Sequence, residues 1–157
     1  MKKLVIVYVV LIIVVILLAV FKIGGGLLPA LPNFGTKSKA VINKESINLI
    51  VVKAPNDLKK GLSGRKDIPQ DQGMLFIFPT KGKYSFWMKD MLFPLDIIFI
   101  DDKKVVDVFE NLPPDDSPFR PKYAPSAPAN YVLEVNAGVA KKLKIQKGTT
   151  VTLKNVK

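Results

Sequence analysis

The sequence predicts a mainly β protein: a compact antiparallel β-sandwich or barrel with two short helices, preceded by one N-terminal transmembrane helix. Three observations carry this expectation. Seven short runs rich in Val, Ile and Phe follow one another from about residue 45, separated by turn signals. Two of them, Met74–Phe78 and Ile97–Ile100, are apolar at every position, as strands covered on both faces are. Ahead of them lies an unbroken apolar stretch, Leu4–Phe21.

That stretch has the length of a membrane span. Its 18 residues reach roughly 27 Å at about 1.5 Å per residue, close to the hydrocarbon thickness of a bilayer. Eleven of them are Val or Ile, poor helix formers in water, but in lipid unpaired backbone groups force the helix. A cleaved secretory signal would carry a shorter apolar core, about 7–15 residues, and a small-x-small cleavage site. Ala19-Val20-Phe21 puts a bulky ring there, and no lipobox cysteine exists. An uncleaved anchor over residues 1–23 is therefore expected. Lys2 and Lys3 precede the run and Lys22 alone follows closely, which keeps the amino terminus in the cytoplasm and the rest outside it. Residues 24–44, with Gly24-Gly25-Gly26, Pro29, Pro32, Asn33, Gly35 and Ser38, read as a flexible tether. Random-coil scaling lets it hold the domain roughly 25 Å from the bilayer.

The extracytoplasmic domain, residues 45–157, then divides into elements. Ile47–Lys53 reads as a strand and Asn56–Leu62 as one or two helical turns stopping near Gly61. Gly73–Phe78, Tyr84–Lys89, Leu95–Asp101 and Val105–Glu110 are further strands, the last two joined by a hairpin turn at Asp101–Lys104. Tyr131–Val135 and Thr149–Lys154 complete the set, with a short helix around Val139–Lys144 between them. Residues 112–130 hold six of the twelve prolines, which excludes a central strand or helix there.

Composition removes whole classes of chemistry. With no Cys there is no disulfide, thiolate nucleophile or Cys-ligated zinc, and with no His no Ser-His-Asp triad or imidazole base. The acidic residues lack the order of a calcium loop, so no metal and no cofactor is expected. Basic residues number 24 against 13 acidic; setting aside Lys2, Lys3, Lys22, Lys37 and Lys39 leaves 19 against the same 13, with Lys141, Lys142, Lys144 and Lys147 as the local cluster. Such a domain outside the membrane meets anionic envelope polymers and headgroups, while no nucleic-acid-binding motif is present.

Alternation places candidate site residues. Ser85, Trp87 and Lys89 share one face of their expected strand, and Asp96 shares a face with Ile98 and Ile100. A carboxylate on an apolar face needs a partner, and Arg65 or Lys89 could supply it; Glu134, mid-strand beside Val132, has the same need. Arg65, Trp87, Lys89, Asp96 and Glu134 are thus expected to converge at one end of the domain as a ligand site. A local role is open for each: Asp96 bonding nearby amides, Arg65 pairing with a carboxylate, Trp87 packing in the core.

Several segments together resemble one family: Gly61-Leu62-Ser63-Gly64-Arg65, Gly73-Met74-Leu75-Phe76, Phe86-Trp87-Met88-Lys89, Pro94–Ile100, and Tyr131–Val135 with Ala137-Gly138. In order and spacing they are similar to the family called domain of unknown function 192, over roughly residues 45–154. Ser63 stands where that family commonly has Met, and Met91 where a small hydroxyl residue is usual. The resemblance implies a compact β-sandwich of jelly-roll character, often exported or membrane-anchored, and implies no activity.

Three functions fit these features. The first is a non-catalytic binding or accessory module of the cell envelope, with its site beside the proline-rich loop. The second is an enzyme using Asp96 and Glu134 as a carboxylate pair on an envelope glycan. The third is a structural subunit held by a membrane protein partner through the apolar helix.

Overall fold

The computed structural model describes Ile12 and residues 37–156. The expected anchor and most of the expected tether lie outside them, and among the described residues no helix is long and apolar enough to cross a membrane. The chain divides into two units, Met1–Gly35 and Thr36–Lys157, and the second carries the fold.

Seven strands, β1 (Lys39–Ile42), β2 (Glu45–Val52), β3 (Gln72–Gly82), β4 (Leu95–Asp101), β5 (Lys104–Leu112), β6 (Ala129–Asn136) and β7 (Val151–Lys154), form one sheet in the order β5-β4-β6-β3-β2-β1-β7. Two short helices, α1 (Pro55–Lys60) and α2 (Val139–Lys142), interrupt them. The sheet curls until its outer strands touch: Lys104 of β5 bridges Thr150 beside β7, and Val105 and Gly148 exchange backbone hydrogen bonds with this corner. The architecture is therefore a curled single sheet and not two stacked ones, which corrects the expected sandwich. It is also not wholly antiparallel. β2 and β3 run parallel, Asn48 against Gln72 through Val52 against Phe76, with α1 in the crossover between them.

Curling gives the sheet an inside and an outside, and both are apolar. Ala40, Ile42, Leu75, Ile98, Ile100, Leu133, Val135 and Val151 fill the inside, closed by Val139 and Ala140 of α2. Met74, Phe76, Ile97, Phe99 and Val132 face the other way, beneath Leu62, Ile68, Met88 and Met91 from the connections. β3, β4 and β6 are thus covered on both faces, as the all-apolar runs Met74–Phe78 and Ile97–Ile100 predict; residues 95–100 are all buried.

Two elements differ from expectation. β1 falls in the stretch read as tether. It joins β2 through Asn43 and Lys44, both at positive φ (48° and 72°), the conformation of a tight two-residue hairpin. Conversely, Tyr84–Lys89 forms no strand: its sole pairing among the described residues is an isolated bridge between Phe86 and Tyr123. Its neighbour there is the proline-rich connection, where Pro121, Pro125 and Pro128 offer no backbone donors to extend a ladder. That connection is nonetheless tied down, by Asp115 N–H donating to Met88 O and by Tyr123 exchanging hydrogen bonds with Phe86. The hairpin at Asp101–Lys104 forms as expected, and Lys81 of β3 pairs with Asp101 and Asp102 across it.

Candidate functional site

Glu134 lies mid-way along β6, flanked by Met74 of β3 and Ile97 of β4. Its side chain falls on the outer face, among Phe76, Phe99 and Val132. Only 5% of the residue is exposed, and its Oε2 has no hydrogen-bond partner. No cation pairs with it among the described residues. Burial alone pushes its carboxyl up to about 8. At neutral pH the group is chiefly the neutral acid, a hydrogen-bond donor as well as an acceptor.

Over this carboxyl opens a cleft of about 250 Å³, lined by Leu58–Ser63, Phe76, Phe78, Tyr84–Trp87, Met91 and Glu134. Its aromatic wall is a set of mutually packed rings. Phe78 stacks on Tyr84 at 3.7 Å between centroids, and Phe86 stands edge-on to Phe76 at 5.1 Å. The opposite wall is the end of α1 and the turn after it. Gly61, at φ 53° and ψ −135°, makes that approach feasible: a Cβ there would sit 3.3 Å from Phe76 Cζ and 3.9 Å from Glu134 Oε2. Two bonds fasten this turn to the 83–94 connection, Gly64 N–H to Asp90 O (2.8 Å) and Ser63 Oγ to Lys89 O (3.1 Å). Two depressions of about 450 and 330 Å³ adjoin the cleft; Lys60 and Ser63 line all three, and Glu134 lines only the cleft.

Four of the five expected residues border this region. Trp87 and Glu134 line the cleft; Trp87 and Lys89 line one neighbouring depression, and Arg65 the other. They do not form the expected ion pairs. Lys89 lies 3.9 Å from Asp90, and Arg65 is exposed. Trp87 is 43% exposed, at the rim of the cleft and outside the core. Asp96 is elsewhere. It points into the curl with Ile98 and Ile100, fully buried. Its Oδ1 accepts from Asn111 N–H and its Oδ2 from Ala140 N–H, both at 2.8 Å. Backbone amides, not Arg65 or Lys89, satisfy it. Asp96 and Glu134 therefore open onto opposite faces of the sheet and cannot act as a carboxylate pair on one substrate.

Sequence reading missed Lys59, Lys60, Phe78 and Tyr84. The α1 lysines look like ordinary solvated helix positions, and Tyr84 becomes a wall only because β3 extends to Gly82 and turns it back onto Phe78. Among the described residues no cluster of acidic side chains is arranged to hold a metal ion.

The segments quoted above for their order and spacing meet at this cleft: Gly61–Ser63 at its rim, Phe76 and Phe86-Trp87 in its walls, Glu134 at its floor. No curated protein matches the chain. Two solved structures resemble it. One is a protein of unknown function from Novosphingobium aromaticivorans, 27% identical over 74% of this chain and 83% of that one, with a TM-score of 0.66. The other, from Sinorhizobium meliloti, is described as a candidate transcription regulator; it is 26% identical over 76% of this chain and 94% of its own, with a TM-score of 0.67. The model of domain of unknown function 192, "Uncharacterized ACR", matches residues 38–153, nearly the whole of the curled sheet, and the chain belongs to that family.

Proposed function

We propose that the domain is a non-catalytic binding module of the cell envelope that takes a small ligand in the cleft above Glu134. One observation carries this reading: the Glu134 carboxyl, almost wholly buried and with no partner for its Oε2 among the described residues, belongs to a residue that lines an aromatic-walled cleft. An unmade buried hydrogen bond costs roughly 1–3 kcal/mol, which a ligand supplying the partner recovers on binding. The site has a concave apolar body and few convergent polar groups, the usual make-up of small-molecule sites. With Asp96 committed to backbone amides, no second carboxylate lines the cleft beside Glu134 among the described residues, so binding fits the site better than two-carboxylate glycoside hydrolysis.

The envelope location rests on the apolar run Leu4–Phe21 behind Lys2 and Lys3. Protease added to intact spheroplasts should digest the domain if it lies outside the membrane; protection would refute that placement. Binding is tested with the full chain in detergent micelles. Trp87 is the sole tryptophan and stands at the rim, so its emission reports occupancy directly. A panel of neutral, acidic and amine-bearing envelope saccharides should include at least one that shifts the emission saturably. Failure of every member, with the protein folded by circular dichroism, would overturn the reading.

A further inference from the structure

Resting on the reading of the cleft as a binding site, we infer that it takes one acidic sugar unit, a uronate or a sugar phosphate. The ring lies against Trp87, a neutral oxygen meets Glu134, and the anionic group meets Lys59 and Lys60.

Size comes first. A cleft of about 250 Å³ is below the range of roughly 300–1,000 Å³ common for drug-sized ligands, and suits a single ring. Polarity then orients that ring. The floor offers the carboxyl of Glu134, a residue 5% exposed whose Oε2 has no partner among the described residues, and the rim offers the two lysines at the end of α1. Neither lysine makes an ion pair among the described residues. The charged and titratable groups lining the cleft are Lys59, Lys60, Tyr84 and Glu134 itself. A cationic ligand would have to pass two ammonium groups and ionise a carboxyl that burial holds neutral up to about pH 8. An anionic ligand meets none of these costs: the neutral acid donates to its hydroxyl or ring oxygen, and the lysines take its charge.

The test is a Trp87 emission titration of the full chain in detergent with glucuronate, glucose 6-phosphate, glucose and glucosamine at pH 6 and pH 9. At pH 6 at least one of the two acidic sugars should bind about 10-fold or more tightly than glucose, as charge-assisted contacts allow; whichever is tighter separates uronate from phosphate. Glucuronate, whose own charge is constant over this range, should weaken at pH 9, where Glu134 has lost its proton. The Lys59→Ala/Lys60→Ala variant, altered at exposed positions, should erase the preference over glucose. Glu134→Gln keeps a neutral donor and should flatten the pH profile. Glucose binding as tightly as both acids would overturn the inference. So would glucosamine binding tightest at pH 6, where its amine carries a positive charge, although the cleft would then still be a binding site. No emission change with any of the four sugars overturns the acidic-sugar assignment; the binding reading itself falls only if the wider saccharide panel also fails.

Discussion

Asp96 and Glu134 stand one register step apart on paired strands and face opposite sides of the sheet: Asp96 is opposite Val135, and Glu134 is opposite Ile97. Both are buried carboxyls, yet their surroundings make them opposites. Asp96 accepts one backbone N–H on each oxygen, whereas Glu134 leaves Oε2 without a partner. The first is a structural clamp. It holds the irregular end of β5, where Asn111 sits at φ 54°, and the first turn of α2, whose early N–H groups have no partner within the helix. The second is a polar group still available to something else.

Removing the Asp96 carboxylate should therefore cost stability. Asp96→Ala strands one buried amide, Ala140 N–H, at roughly 1–3 kcal/mol, and one part-buried amide, Asn111 N–H, at less, so a loss of about 2 kcal/mol is expected. Asp96→Asn should lose nearly as much, because its NH₂ group points a donor at one of two donors. Urea unfolding checks this: the midpoint should fall with the slope unchanged. A shift below about 0.5 kcal/mol, within the range of ordinary surface changes, would contradict the clamp.

Glu134 should make stability fall as pH rises. Burial pushes its folded-state carboxyl up to about 8 from an ordinary 4.5. Below pH 4.5 both states hold the proton, and the stability is fully present. Between 4.5 and 8 the unfolded chain releases its proton first and is favoured; above 8 the dependence ends. At about 1.4 kcal/mol per pH unit, the loss from pH 4.5 to 7 is roughly 3 kcal/mol. Glu134→Gln should remove this slope, so the variant gains on the wild type as pH rises from 5 to 8. Parallel unfolding curves for the two proteins across that range would show the burial to be harmless.

The periodicity of apolar residues made most of the sheet readable. β4 has the bounds Leu95–Asp101 that its sequence predicts, because a strand covered on both faces leaves an uninterrupted apolar run. What was not readable depends on partners distant in the chain. The alternation in Tyr84–Lys89 looks like a strand, but its neighbour is rich in proline and cannot complete a ladder. Glu134 was identifiable as a carboxyl out of place among Val132, Leu133 and Val135, whereas its lack of a partner was not. Alternation predicts which face a side chain takes, not whether a cation stands on that face. Curvature was equally hidden: the same alternating strands serve two stacked sheets or one curled upon itself, and the contact of Lys104 with Thr150 decides between them.

Close packing at Gly73 should tolerate no side chain. A Cβ there would lie 2.8 Å from Glu134 O, 2.9 Å from Val135 Cγ1 and 3.0 Å from Leu133 Cδ1, two of these on both sides of the carboxyl's own residue. Gly73→Ala must push β3 from β6, at about 2–3 kcal/mol. Gly148→Ala, at φ 88° with open space around it, should cost only the left-handed backbone penalty of about 1 kcal/mol. Thermal unfolding of the two variants should rank them in that order, and the reverse ranking would mean that β3 and β6 yield more readily than their register implies.

Trp87 should separate binding from stability. Its ring is 43% exposed and forms a wall shared by the cleft and the depression toward Lys89, so little core packing depends on it. Trp87→Ala should change unfolding free energy by less than about 1 kcal/mol. Losing a stacking surface of aromatic size should nevertheless weaken a ring-bearing ligand by roughly 10-fold, about 1.4 kcal/mol. Because the variant has no tryptophan left to fluoresce, calorimetry must measure the affinity. A destabilised Trp87→Ala protein with unchanged ligand affinity would make Trp87 a core residue that happens to reach the surface, and would detach the aromatic rim from the Glu134 site.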